Sequence, residues 1–183
     1  MPRLTPIDPA TATGRTQELF GAVKAKLGLV PNMTRGMAAS PAVLEGYLGL
    51  QGALERGALD ARMRELIALA VAETNGCDYC LSAHTALGGM LKLAPAALDA
   101  ARGAESADQR TRAALQFARR VLEARGHVSG ADLAVVRAAG FDDGAIAEIV
   151  GNVAVNVFTN LFNSVAGTDI DFPVVRARIR KAA

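Results

Sequence analysis

The chain has 183 residues, 51% of them apolar, enough to bury a substantial core as one domain. Aromatic residues make up 4% and Trp is absent, which favours helices packed closely through small side chains over sheets built from aromatic and β-branched residues. A formal charge of +2, with both signs interspersed, excludes the basic stripe of a nucleic-acid binder.

The opening Met1-Pro2-Arg3-Leu4-Thr5-Pro6 has no apolar run of the kind a signal peptide carries, and residues 1–14 read as extended. A first helix is expected from Arg15 to Leu27, broken by Gly28 through Asn32. Ser40-Pro41 reads as an N-cap followed by an N1 proline, starting a helix that runs to Arg56 and is closed by Gly57. Asp60 caps a helix over Ala61 to Thr74, and Asn75-Gly76 ends it, because Gly tolerates the left-handed C-cap conformation. The chain restarts as a helix from Cys77 to Leu91, followed by a short one over Pro95 to Arg102. The second half repeats this grammar. Asp108 opens a helix to Arg125, Ser129 with Asp132 opens a short one that Gly140 ends, and Asp142-Asp143 opens a long one to Val165. No strand pair is evident, so the fold class is all-α, a compact bundle of about seven to eight helices. The span Ala145 to Ala166 is apolar enough to raise the question of a membrane, but Glu148, Asn152, Asn156, Asn160 and Asn163 argue against a lipid-exposed span. The tail residues Arg176, Arg178, Arg180 and Lys181 read as a solvated helix end rather than an anion site.

Chemistry concentrates in Cys77-Asp78-Tyr79-Cys80 and in His84, four residues on. These are the only two cysteines and one of the two histidines. In a soluble, cytoplasmic setting such a pair is more often redox-active or metal-binding than a structural disulfide. At about 100° per residue, Cys77, Cys80 and His84 fall within about 60° of helix arc. The helix dipole favours a thiolate at Cys77, whereas the i+4 histidine favours Cys80, so local physics leaves the nucleophile open. On the preceding helix Glu65 lies in an Ala-rich stripe of a segment that is apolar on both sides. A carboxylate there is a candidate base or proton carrier. Glu73 lies beside Arg62 and reads as part of a polar edge. The ladder Glu148, Asn152, Asn156, Asn160, with Asn163 alongside, reads as a buried hydrogen-bonded seam between subunits or beside the active pocket, since an ordinary solvent face carries more Lys, Glu and Arg.

The order Glu65, eleven residues, Cys77-x-x-Cys80, three residues, His84 resembles the signature of the alkylhydroperoxidase D family, within the carboxymuconolactone decarboxylase-like superfamily. The resemblance covers about residues 40–165 of the single domain 1–183, its strong part being Glu65 to His84. It implies an all-helical homo-oligomer, a trimer or hexamer, that reduces peroxides with its cysteine pair. A dithiol partner, lipoyl- or thioredoxin-like, would recharge the pair without metal or other cofactor. By the same resemblance Cys80 is the attacking sulfur, Cys77 the resolving one, and Glu65 and His84 form a proton relay. Familiar members carry His immediately before the second Cys, where this chain has Tyr79, so the relay here is shorter or uses water. Tyr79, about 200° round the wheel from Cys77, is expected to pack rather than react.

Three readings result. The first is a thiol peroxidase acting on hydrogen peroxide or organic hydroperoxides, with no membrane or nucleic-acid partner. The second is a thiol–disulfide exchanger or redox sensor on the same scaffold. The third is an oligomeric module whose cysteines are structural or, with His84 and Glu65, hold zinc.

Overall fold

In a computed structural model, described here for residues 2–178, the chain forms nine helices and no strand among those residues. They are α1 (Gly14–Leu27), α2 (Asn32–Met37), α3 (Pro41–Leu54), α4 (Ala61–Asn75), α5 (Asp78–Met90), α6 (Pro95–Arg102), α7 (Gln109–Glu123), α8 (Gly130–Ala138) and α9 (Asp143–Ala166). The all-α reading holds. The helix it did not anticipate is α2, a six-residue segment between the end of the break at Asn32 and Ser40. Too short to show a hydrophobic period, it is held from outside: Asn32 N–H donates to Asp171, and Asn32 Nδ2 to the Asp169 carbonyl.

The start signals act as written. Asp60, Asp108 and Asp142 each accept from the backbone N–H three residues on, and Ser129 with Asp132 completes a reciprocal capping box. Gly76 ends α4 in the left-handed region at φ 69°. Ser40 precedes α3 as expected, but its hydroxyl makes no capping bond.

Helix α4 is the axis of the molecule. Residues 66 to 73 are all buried, and α5, α6, α7 and α9 pack around it. A helix enclosed on every side needs small residues somewhere, and Ala68, Ala70 and Ala72 supply them. A second, smaller cluster joins Leu19 and Phe20 of α1, Met37 of α2 and Leu44 of α3. The two clusters meet at Met33, which packs against both. Glu148 of α9 reaches the loop between α3 and α4, accepting from the N–H groups of Ala58 and Leu59 at 2.8 and 2.9 Å. Gly57 permits this approach, since a Cβ there would lie 2.5 Å from the Glu148 carboxylate.

Two sequence expectations are corrected by enclosure. Glu73 is no polar edge. It is 5% exposed, ion-paired with Arg102 at 2.7 Å, and accepts from the Arg178 N–H at 2.7 Å. The tail is no solvated helix end in its described part. Residues 174–178 run as an irregular strap, with Arg176 paired to Asp78, Ala177 N–H donating to Asp78, Val175 N–H donating to Ser82, and Arg178 paired to Asp99. Arg180 and Lys181 lie outside the described residues. Helix α9 is long and apolar enough to cross a membrane by length and composition, yet half of that stretch is buried against the rest of the chain. Its inward face is the asparagine seam.

Candidate active site

Gly76 turns the chain back so that α5 runs antiparallel to α4, and the turn sets the cysteines. Cys77 is not on the helix, as a continuous wheel would have it. It is the N-cap of α5, with φ −91° and ψ 96°, and its sulfur accepts from the Cys80 N–H at 3.3 Å. The residue that would profit from the helix dipole is therefore used as a cap. Cys80 sits in the first turn proper and is 2% exposed, and both cysteines are free thiols.

One turn further along α5, His84 meets Glu65 of α4. His84 Nδ1 and Glu65 Oε2 are 2.7 Å apart, with both side chains largely enclosed. This is the pairing the spacing suggested, formed because α4 and α5 are adjacent antiparallel helices. Burial alone would push the His84 imidazole down. The Glu65 charge and hydrogen bond, with support from Cys80 and Asn156, outweigh it and raise the pKa. Glu65 Oε2 on Nδ1 leaves Nε2 as the nitrogen available to a substrate.

Helix α9 completes the surroundings of Cys80. Asn152, Asn156, Asn160 and Asn163 are all buried, so the seam lies beside the pocket. Asn163 Nδ2 donates to Cys80 Sγ at 3.3 Å, and Thr159 Oγ1 lies 3.9 Å from the same sulfur. Asn160 is held by Asn75 Nδ2, which donates to its Oδ1 at 2.9 Å; its own buried Nδ2 makes no hydrogen bond among the described residues, and its nearness lowers the Cys80 pKa. Asn152 and Asn156 donate their amides to the carbonyls one turn back, those of Glu148 and Asn152, at 2.8 Å each.

These contacts separate the two thiols. Burial pushes Cys80 up, but the Cys77 thiol, the His84 charge and the Asn163 and Asn160 amides more than reverse it, bringing Cys80 down to about 6. Cys77 is driven far above its ordinary value, first by donating its proton to Cys80 and then by burial. The sulfur with the lower pKa is therefore Cys80, and the dipole argument for Cys77 fails because the N-cap thiol serves its neighbour.

Cys80 and His84 open onto a cavity of about 540 Å³, mostly apolar, bounded by α1, α3, α4, α5 and α9. Tyr79 is a wall of it. The phenol is buried, accepts from the Met33 N–H at 3.2 Å and stands edge-on to Phe172. Burial raises its pKa, so it remains a neutral packing group, as expected. Among the described residues no three of His, Cys, Asp and Glu converge as metal ligands. Sequence reasoning did not single out Thr159 or Met33. The asparagine ladder was the one available signal for this second half of the site, because it marked which face of α9 turns inward.

Residues 41–124, α3 through α7, match the model of the carboxymuconolactone decarboxylase family. An uncharacterized protein of Haemophilus influenzae is 53% identical over 45 residues, 24% of this chain; that match spans 40% of the relative's own length. The fold superposes on the alkylhydroperoxidase AhpD core of a peroxidase-related protein from Ralstonia eutropha JMP134 with TM-score 0.84, at 26% identity over 93% of this chain and 92% of that one. A peroxidase-related protein from Silicibacter sp. TM1040 gives TM-score 0.79, at 28% identity over 91% and 92%. The debrominase Bmp8, in complex with 2,3,4-tribromopyrrole, shares the fold at TM-score 0.79 but 21% identity, over 92% and 91% of the two chains. These matches, together with the Glu65, Cys77, Cys80 and His84 arrangement, make the chain similar to the carboxymuconolactone decarboxylase family over residues 41–124 and to alkylhydroperoxidase D-like proteins over nearly all of its length.

Proposed function

We propose that this chain is a thiol-dependent peroxidase that reduces hydrogen peroxide or organic hydroperoxides through a Cys80–Cys77 dithiol/disulfide cycle. The observation that supports the reading is the split between the two sulfurs: a buried Cys80 favoured as thiolate by the Cys77 thiol, His84, Asn163 and Asn160, next to a Cys77 that keeps its proton. A low thiol pKa at a buried, cavity-lining position is the signature of a nucleophile rather than of packing.

The Cys80 thiolate attacks the terminal oxygen of ROOH. An S–O bond forms as the O–O bond breaks, and the alkoxide leaving group takes the proton of the His84 imidazolium, giving ROH and Cys80 sulfenic acid. Glu65 keeps His84 protonated until that moment and orients its ring. Cys77 then displaces hydroxide from the Cys80 sulfur, its proton leaving with the hydroxide as water, and the disulfide forms. An external dithiol, lipoyl- or thioredoxin-like, reduces the disulfide by exchange and is itself oxidised. No metal or flavin enters this scheme. The reading sets the protein in the cytoplasm, where such dithiols are kept reduced. The exposed apolar residues Val150, Phe158, Leu161 and Val165 on the outer face of α9, with Val43 and Leu50 of α3, support a homo-oligomer, a trimer or hexamer.

The test is peroxide consumption by the reduced protein beside Cys80→Ser and Cys77→Ser. Cys80→Ser is expected to abolish the reaction. Cys77→Ser is expected to consume one equivalent and stop at the sulfenic acid, trapped by dimedone. Turnover that survives Cys80→Ser sinks the assignment. Disulfide exchange without peroxide consumption leaves the thiol–disulfide exchanger.

A further inference from the structure

The charges lining the Cys80 cavity do not balance pairwise. Lys26 of α1 pairs with Glu55, which also accepts from Gln51. Glu65 pairs with His84. Arg64, one residue before Glu65, lines the same cavity and meets no carboxylate among the described residues. Its guanidinium makes one hydrogen bond there, to the Leu59 carbonyl, and the side chain is half-buried. A guanidinium has five N–H donors, so most of its capacity is unused. Nor does Arg64 figure among the groups that hold the Cys80 thiolate, which are Cys77, His84, Asn163 and Asn160.

The position of Arg64 has a consistent geometry. Ala61, Arg64 and Glu65 occupy one face of α4, and all three face the cavity. Because α4 and α5 run antiparallel, the Glu65–His84 pair lies between Arg64 and Cys80, which is a further turn, about 6 Å, along α5. Beyond that pair the cavity wall is mostly apolar, with Leu48, Leu87, Val155 and Phe172 among its lining. A molecule filling this space is read as an acid at one end, hydrocarbon in the middle, and a reacting atom at the other.

We infer that Arg64 binds the carboxylate of the substrate, and that the cavity takes a carboxylate-bearing organic hydroperoxide, the acid on Arg64 and the peroxide at Cys80. The inference rests on the peroxidase reading for its reacting end only. A guanidinium facing an apolar cavity binds carboxylate better than a neutral isostere, because the ion pair forms away from bulk water and two N–H groups can engage both oxygens.

Titration calorimetry on the reduced protein with decanoate and with decanol, neither of which is a peroxide, tests the acid end by itself. Decanoate is expected to bind roughly tenfold to a hundredfold more tightly than decanol, and Arg64→Gln to remove that preference while leaving decanol binding and the melting temperature unchanged. Arg64→Lys is expected to restore part of the preference. Equal affinity for acid and alcohol, absence of decanoate binding, or a preference that survives Arg64→Gln each overturns the inference. Turnover of cumene hydroperoxide, which has no carboxylate, is measured in parallel. If neither cumene hydroperoxide nor a fatty-acid hydroperoxide is turned over while decanoate discrimination holds, the peroxidase reading falls and the carboxylate site stands. If turnover is seen, the KM of a fatty-acid hydroperoxide should rise in Arg64→Gln by the same factor, with that of its methyl ester unmoved.

Discussion

Replacing Asn163 with Leu removes one amide donor from the Cys80 sulfur at nearly constant volume. The bond is 3.3 Å long and wholly buried, and its acceptor is charged when Cys80 ionises. A hydrogen bond to a charged group contributes about 1.5–3 kcal/mol, and one pKa unit corresponds to about 1.4 kcal/mol, so the Cys80 pKa should rise by roughly one to two units from its value of about 6. The pH dependence of iodoacetamide alkylation reads this directly, with Cys77→Ser in both arms so that one sulfur reports. Stability supplies an independent check. The folded pKa of Cys80 lies below the unfolded value of about 8.5, so the unfolded chain binds the extra proton between them and stability rises with pH from about 6 to about 8.5. That contribution is lost as pH falls through the folded pKa. Asn163→Leu should therefore cost about 1.5–3 kcal/mol at pH 8 and far less at pH 5, where the thiol is neutral in both states. At the acid end the variant also removes Asn163 Oδ1, a buried oxygen without a partner among the described residues. An alkylation midpoint that moves by less than about half a unit, or a stability loss independent of pH, would refute the claim that this amide holds the thiolate.

Two further substitutions separate the relay from the scaffold. Glu65→Gln keeps the shape but removes the charge that raises the His84 pKa, so the basic limb of the peroxidase pH profile should move to lower pH and the maximal rate should fall by roughly 10²-fold, the lower range for a lost general acid; an unshifted limb would mean His84 is not the proton donor. Glu73→Ala takes from Arg102, 11% exposed, its carboxylate at 2.7 Å, leaving it the Arg176 carbonyl and Asp99 at 3.6 Å, and frees the tail strap at Arg178. Chemical denaturation should show a loss of about 3–5 kcal/mol with the Cys80 alkylation midpoint unchanged, since Glu73 serves packing and not the sulfur.

Most of the helical architecture was legible because its signals are local. A cap needs one side chain and a backbone N–H three residues away, and a left-handed stop needs one glycine, so Asp60, Asp108, Ser129 with Asp132, and Asp142 each announce a helix that forms. Glu65, Cys80 and His84 were legible for a related reason: i+4 spacing within one helix and a short turn to the next bring them together with little help from elsewhere. Cys77 shows where that logic stops. On a continuous wheel it shares the face of Cys80 and His84, but Gly76 bends the chain and makes it a cap; the Cys80 N–H it accepts lowers its pKa, and the proton it shares with the Cys80 sulfur and its burial raise it by more.

What only the tertiary structure decided depends on partners distant in the chain. The Cys77 thiol and the His84 charge lower Cys80 from within its own segment, but Asn163, 83 residues away, and Asn160 beside it add donors that only folding brings to the sulfur. Glu73 became a buried ion pair because Arg102 and the Arg178 backbone reach it from 29 and 105 residues away, enclosing an edge that a wheel drawn for an isolated helix leaves open. Arg64 is unremarkable in sequence, one charge among many; it matters because packing turned it toward the cavity of Cys80 without bringing any described carboxylate to meet it. Local rules set where helices start, where they stop and which reactive residues they carry. The energies that choose a nucleophile or leave a charge unanswered come from groups that only folding brings within hydrogen-bonding distance.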